Sequence, residues 1–157
     1  MFKSLLVPID GSDYAQRALQ VACQLATPSQ ATLYLLTVRE MLPPVHAFGS
    51  MSVEAAIRAA SPEAAEKAGR AILEKALEKM PAHSGQVQTL IRMGSPGRVI
   101  VDEAERLGVD AIVMGSRGLS DISGLVIGSV SHKVSHIAKC MVISVHDSPD
   151  QAAPADA

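Results

Sequence analysis

The sequence predicts an α/β domain built on a parallel sheet, and three observations predict it. Short aliphatic runs alternate with longer segments whose apolar residues recur every three or four positions. Three of those runs are apolar almost without interruption, as strands buried on both faces are. The length, 157 residues, suffices for one core of ordinary size but not for two well-packed halves.

Five runs read as strands: 3–9 (KSLLVPI), 31–38 (ATLYLLTV), 87–93 (VQTLIRM), 110–115 (DAIVMG) and 141–145 (MVISV). Between the first two, Ala15, Leu19, Ala22 and Ala26 share one face of a helix that Ser12 or Asp13 can cap, with Gln16 three residues beyond Asp13 in capping-box position. A second helix opens at Ser61, with Pro62 in the first helical position and Glu63 and Glu66 near the positive end of the dipole, and runs to about Met80. A third covers 97–107 with Ile100, Ala104 and Leu107 inward, and stops at Gly108, the residue type best suited to a left-handed C-terminal conformation. A fourth begins near Gly128 with Val130, Val134 and Ile137 inward. Two segments fall outside this alternation. Residues 39–60 make a connection longer than is usual in an α/β unit, which points to a lid or partner surface that is helical in part. The tail 147–157, with two prolines, three aspartates and no large apolar residue, is expected to be disordered.

Composition narrows the function. A formal charge of −2 argues against an electrostatic nucleic-acid binder, and 3% aromatic residues leave few stacking platforms for bases. No apolar run reaches the length of a membrane span, and the stretch between Lys3 and Asp10 is too short for a signal peptide, so a cytoplasmic protein without a membrane partner is expected. Cys23 and Cys140 lie in no metal or redox spacing and read as reduced core thiols.

The most informative stretch is MGSRGLSDISGLVIGSV, 114–130, which carries four of the chain's eleven glycines. Gly115 and Gly118 are separated by two residues, nine more lead to Gly128, and Ser129 follows at once. Gly115 closes the fourth strand and Gly128-Ser129 opens the fourth helix, so the loop stands where parallel sheets bind ligands, beyond the carboxyl ends of their strands. Backbone N–H groups at a helix N-terminus, with no Cβ atoms in the way, can approach phosphates. The Ser129 hydroxyl and the Arg117 guanidinium add donors. The alternative is a long turn whose glycines only serve positive φ. The spacing matches neither G-x-G-x-x-G nor a P-loop, since the chain has no Gly-Lys pair.

Gly, two residues, Gly, nine residues, Gly-Ser is the pattern of the ATP-binding branch of the universal stress protein family, which this chain resembles. The likeness extends to LLVPIDGSDYAQRAL, to GSPGRVIVDEAERLGVDAIVMGSRG and to GSVSHKVSHIAKCMVISV, covering most of 3–146. It implies a Rossmann-like open sandwich of strand order 3-2-1-4-5 over 1–146. It also implies an ATP site with Mg²⁺ carried on the nucleotide. In that site Asp10 would serve the ribose or the phosphate-bound metal, Val38 the adenine through its backbone, and Pro8 would shape the approach. Gly115, Arg117, Gly118, Gly128 and Ser129 would hold the phosphates, flanked by Met114 and Val130. The family's mode of dimerisation places Val142, Ile143 and Val145 in a homodimer interface along the last strand, which would otherwise be an apolar edge. Met141 stands where family members commonly have Pro.

Other constellations are weaker. His132 and His136 have a metal-compatible i, i+4 spacing, but without a third ligand they read as a solvated helix face. No G-x-S-x-G elbow supports a hydrolase, and the HIGH and KMSKS signatures of adenylyl-transferring relatives of the architecture are absent. The reading is a dimeric ATP-dependent regulatory module that signals stress to a client protein. The alternatives are a nucleotide-independent structural or chaperone-like dimer, and a slow ATP-hydrolysing or adenylyl-transferring enzyme.

Overall fold

A computed structural model describes residues 1–40, 52–119 and 127–146 of the chain. The elements run β1 (Ser4–Pro8), α1 (Asp13–Ala26), β2 (Thr32–Arg39), α2 (Val53–Ala59), α3 (Pro62–Glu78), β3 (Val87–Met93), α4 (Pro96–Leu107), β4 (Ala111–Gly115), α5 (Ser129–Ile137) and β5 (Met141–Val145). The five strands form one parallel sheet in the order β3-β2-β1-β4-β5, as expected. β3 and β5 are therefore its edges.

The two-residue alternation of the strands divides the core in two. Leu5, Val7, Leu33, Leu35, Ala111 and Val113 face one side, where Leu19, Ala22 and Cys23 of α1 and Leu73 and Ala76 of α3 cover them. Leu6, Leu36, Ile112 and Met114 face the other, under Ile100, Val101 and Ala104 of α4 and Val134 of α5. Leu5, Leu6, Leu33, Leu35 and Leu36 are fully buried, and each such side chain contributes about 1.5–3 kcal/mol by leaving water.

The helix ends follow their capping chemistry, with some revisions. Ser12, not Asp13, caps α1: its hydroxyl accepts from the Ala15 N–H at 3.1 Å. Ser61 caps α3 in the same way, accepting from Ala64 at 3.1 Å, with Pro62 inside the first turn. α4 begins at Pro96 and ends on Gly108 at φ +62°, left-handed as anticipated. The helical part of the 39–60 connection is α2, capped by Ser52; residues 41–51 lie outside the described residues, as does the 147–157 tail.

Two burial expectations are corrected. Ile137 is 36% exposed rather than inward, because the inward row of α5 steps by four, from Val130 through Val134 to Ala138, leaving Ile137 to one side. Cys140 is half-buried against the second core cluster, whereas Cys23 is buried; desolvation raises both thiols above their ordinary range. One buried carboxylate joins the layers: Glu103 on α4 accepts from Arg92 of β3 at 3.1 Å and from Arg106 at 2.7 Å. The Arg106 hydrogen bond, followed by Arg92, holds its carboxyl below the ordinary value. No described helix is long and apolar enough to cross a membrane.

Candidate functional site

The strand order creates the site. From β1 the chain winds outward through β2 to β3, then returns to place β4 on the other side of β1. At that reversal the connections leave in opposite directions and open a crevice at the carboxyl ends of the strands. A cavity of about 210 Å³ occupies it.

β1 delivers Asp10. Past Pro8 the chain turns through Gly11 at φ +88°, a conformation costly for any residue with a Cβ. The turn brings the half-buried Asp10 back over the start of α1. One carboxylate oxygen accepts from the Ser12 N–H at 2.9 Å and from the Ser12 hydroxyl at 2.5 Å. The other accepts from the Leu119 N–H at 3.2 Å, across 109 residues of chain. A single side chain thus ties the end of β1, the cap of α1 and the glycine loop together.

β2 delivers Val38, and its backbone direction follows from the ladder. The Ile9 N–H donates to the Leu36 C=O at 2.8 Å on the β1 side, and the Gly94 N–H donates to the Arg39 C=O at 2.9 Å on the β3 side. Peptide groups alternate sides along a strand. Val38 therefore turns its N–H and C=O toward β1 at a level where β1 has ended, presenting one donor and one acceptor to the crevice.

β4 delivers the glycine loop. The Ser131 hydroxyl donates to the Gly115 C=O at 2.7 Å, fastening α5 to the strand. The Gly128 N–H donates to the Ser116 C=O at 2.6 Å, so this one donor at the head of α5 is committed within the protein. Gly115 and Gly128 do not serve positive φ: Gly128 sits at φ −73°, and Gly115 is not among the glycines with positive φ. At Gly115 the requirement is space. A Cβ there would lie 2.7 Å from Tyr14 Cβ and 2.9 Å from the Tyr14 carbonyl carbon.

Of the residues singled out from the sequence, Pro8, Asp10, Val38, Met114, Gly115, Arg117, Gly118 and Val130 all line the cavity. Gly128 and Ser129 stand at the head of α5, outside its lining. Val142, Ile143 and Val145 are on the edge strand β5, outside the cavity lining. Sequence reasoning missed Thr37, Arg39, Pro96, Ile100 and Ser131, which also line it. Thr37 and Arg39 flank Val38 and were within reach of the strand argument, whereas Pro96 and Ile100 read only as a helix start and its core face. His132 and His136 are exposed and stack at 4.5 Å between ring centroids. Among the described residues no group of three or more His, Cys, Asp or Glu gathers as a metal site.

Comparisons with known proteins agree on one family. The family model for universal stress proteins matches residues 1–146. Universal stress protein YxiE of Bacillus subtilis is 39% identical over 147 residues, covering 92% of this chain and 99% of that protein. Among solved structures, the hypothetical protein MJ0577 superposes with a TM-score of 0.71 at 26% identity, covering 95% of this chain and 99% of that one. A universal stress protein in complex with cAMP superposes at 0.65 with 28% identity, over 94% and 98% of the two chains.

Proposed function

Because this chain belongs to the universal stress protein family, we propose that it is an ATP-binding member whose residues 1–146 form a nucleotide-binding unit, working as a homodimeric regulatory module that a client protein reads. The observation that carries the reading is the cavity at the strand reversal, which Asp10, Val38 and Arg117 line together. Its size, about 210 Å³, is below the ~300–1,000 Å³ of a site that engulfs a drug-sized ligand. It suits a base and ribose, with the phosphates along the rim at Arg117, Gly118 and the head of α5. Val38 would meet the adenine edge with its donor and acceptor, Leu36 and Ile100 would supply apolar walls, and Arg117 would pair with phosphate oxygens. The cAMP bound by a solved relative supports an adenine nucleotide as the ligand class.

Mg²⁺ fits as a passenger of the nucleotide. It is ordinarily held by one or two carboxylates plus substrate phosphates, and Asp10 is the one carboxylate among the described lining residues. The metal would neutralise phosphate charge at the rim. Hydrogen bonds to both Asp10 oxygens fix the orientation of the carboxylate at the rim and leave lone-pair capacity for the metal or its waters. The dimer is supported by β5, an edge strand whose Ile143 and Val145 pack inward on one face and Val142 on the other. Its outer backbone is left for a two-fold copy.

A second reading, a structural or chaperone-like dimer indifferent to nucleotide, is favoured by two observations: Tyr14 alone accounts for Gly115, and the Gly128 N–H already has a partner. Thermal melting with Mg²⁺ and ATP separates the two. Ligand at about a hundredfold over its Kd stabilises by roughly 2.7 kcal/mol, a rise of about 5–10 °C for a chain of this size. AMP and cAMP run alongside rank the nucleotides. No shift with any of them, and no heat in calorimetry, leaves the nucleotide-independent dimer.

A further inference from the structure

Arg39 stands at the end of β2, half-buried, and lines the cavity beside Val38. Its Nε is buried and has no hydrogen-bond partner among the described residues. Four other arginines are paired with carboxylates: Arg70 with Glu66, Arg92 and Arg106 with Glu103, Arg98 with Asp102. A buried donor without an acceptor is costly and rare, and a guanidinium can only donate, so Arg39 carries a donor in need of an acceptor on a residue that lines the cavity.

We propose that Arg39 is a specificity-determining contact of this site, its guanidinium donating to an acceptor on the base of the bound nucleotide. The inference rests on the nucleotide reading above and adds a residue to it. The placement selects the base over the phosphates. Arg117 and Gly118 follow β4, Asp10 follows β1, and Arg39 closes β2 on the far side of β1. Neighbouring strands lie about 4.8 Å apart, so β2 and β4 are separated by roughly the span between the base and the outer phosphates of a nucleoside triphosphate. A ligand with its phosphates at β4 brings its base to β2. There a purine offers ring nitrogens as acceptors, and burial of the Nε makes a bond to one of them strong.

Calorimetry on full-length wild-type, Arg39→Met and Arg39→Lys proteins tests this, with ATP and inorganic tripolyphosphate as the two probes, each with Mg²⁺. Arg39→Met keeps an apolar stem and loses every donor. It should weaken ATP binding about tenfold or more, leave tripolyphosphate unchanged, and melt without ligand at or above the wild-type temperature because an orphaned donor is gone. Arg39→Lys, which keeps the charge without the Nε donor, should stay weakened for ATP. Equal ATP affinity in wild type and Arg39→Met overturns the inference, as does equal loss of both probes, which would make Arg39 a phosphate contact. A ligand-free melting temperature several degrees lower, with ATP affinity intact, would make it a structural arginine. Wild-type protein that binds neither probe fails the nucleotide reading itself, whereas wild-type binding with an indifferent Arg39→Met fails this inference alone.

Discussion

Replacing Gly115 by Ala tests whether the first glycine of the loop serves the fold or the ligand. The new methyl would lie 2.7 Å from Tyr14 Cβ, 2.9 Å from the Tyr14 carbonyl carbon and 3.0 Å from its oxygen. Ordinary contact begins near 3.4 Å, so the closest pair must separate by about 0.7 Å. Two of these three atoms are backbone, so a rotamer change cannot relieve them. Relief requires the first turn of α1 to move away from β4, against the Ser12 cap and the packing of Ala15, Ala18 and Leu19. Overpacking of this kind costs about 1–3 kcal/mol. Because Gly115 does not sit at positive φ, alanine also recovers about 0.4–1 kcal/mol by restricting the unfolded chain. The net loss is about 1–2 kcal/mol, a fall of about 2–8 °C in melting temperature. Far-UV circular dichroism melts and urea titrations would read it, with the urea slope unchanged if only stability has moved. A melting temperature equal to or above wild type would refute the reasoning, since α1 and β4 would then be separated by more than the structure allows.

Gly118→Val should weaken ATP binding several-fold in calorimetry by adding a branched side chain to a cavity wall, while Ser120→Ala, outside the described residues, should leave it within twofold. Glu103→Gln should cost about 1–2 kcal/mol at neutral pH, the loss of charge-assisted bonds discounted for the exposure of both arginines. The folded-state pKa of Glu103 lies below its ordinary value, so the stabilisation is complete above about pH 4.5 and is lost as pH falls through the folded value. Urea titrations at a series of pH values should therefore show the wild type and Glu103→Gln converging in acid. Ser144→Pro should give monomers in sedimentation without loss of ATP binding. The Val145 C=O accepts from Ser116 at 2.9 Å and so faces β4, which turns the peptide groups of Ser144 to the outer edge, where proline removes a donor that only a partner strand could use.

What was legible in the sequence was whatever a period or a spacing encodes. Leu5 and Leu6, or Leu35 and Leu36, are apolar neighbours because both faces of the sheet are covered, and that demand writes itself into consecutive residues. Ser12, Ser61 and Gly108 announce helix ends because each answers a local backbone need. The site was legible to the extent that it sits at strand ends, which is why Pro8, Asp10, Val38 and Gly115 fall together on one cavity. What escaped depends on contacts between distant segments. The spacing presents Gly115, Gly118 and Gly128 as one motif with one purpose, yet Gly115 answers to Tyr14, 101 residues earlier in the chain, and Gly128 is committed to Ser116. In sequence Arg39 is simply the polar residue where a hydrophobic strand stops, the commonest place for a solvated charge. Only in the folded chain does its Nε leave water, and only then does an unremarkable strand end become a donor in need of an acceptor. The fold-forming and ligand-facing demands therefore meet in the same crevice but fall on different atoms: a Cβ that must be absent at Gly115, and an N–H that must be answered at Arg39.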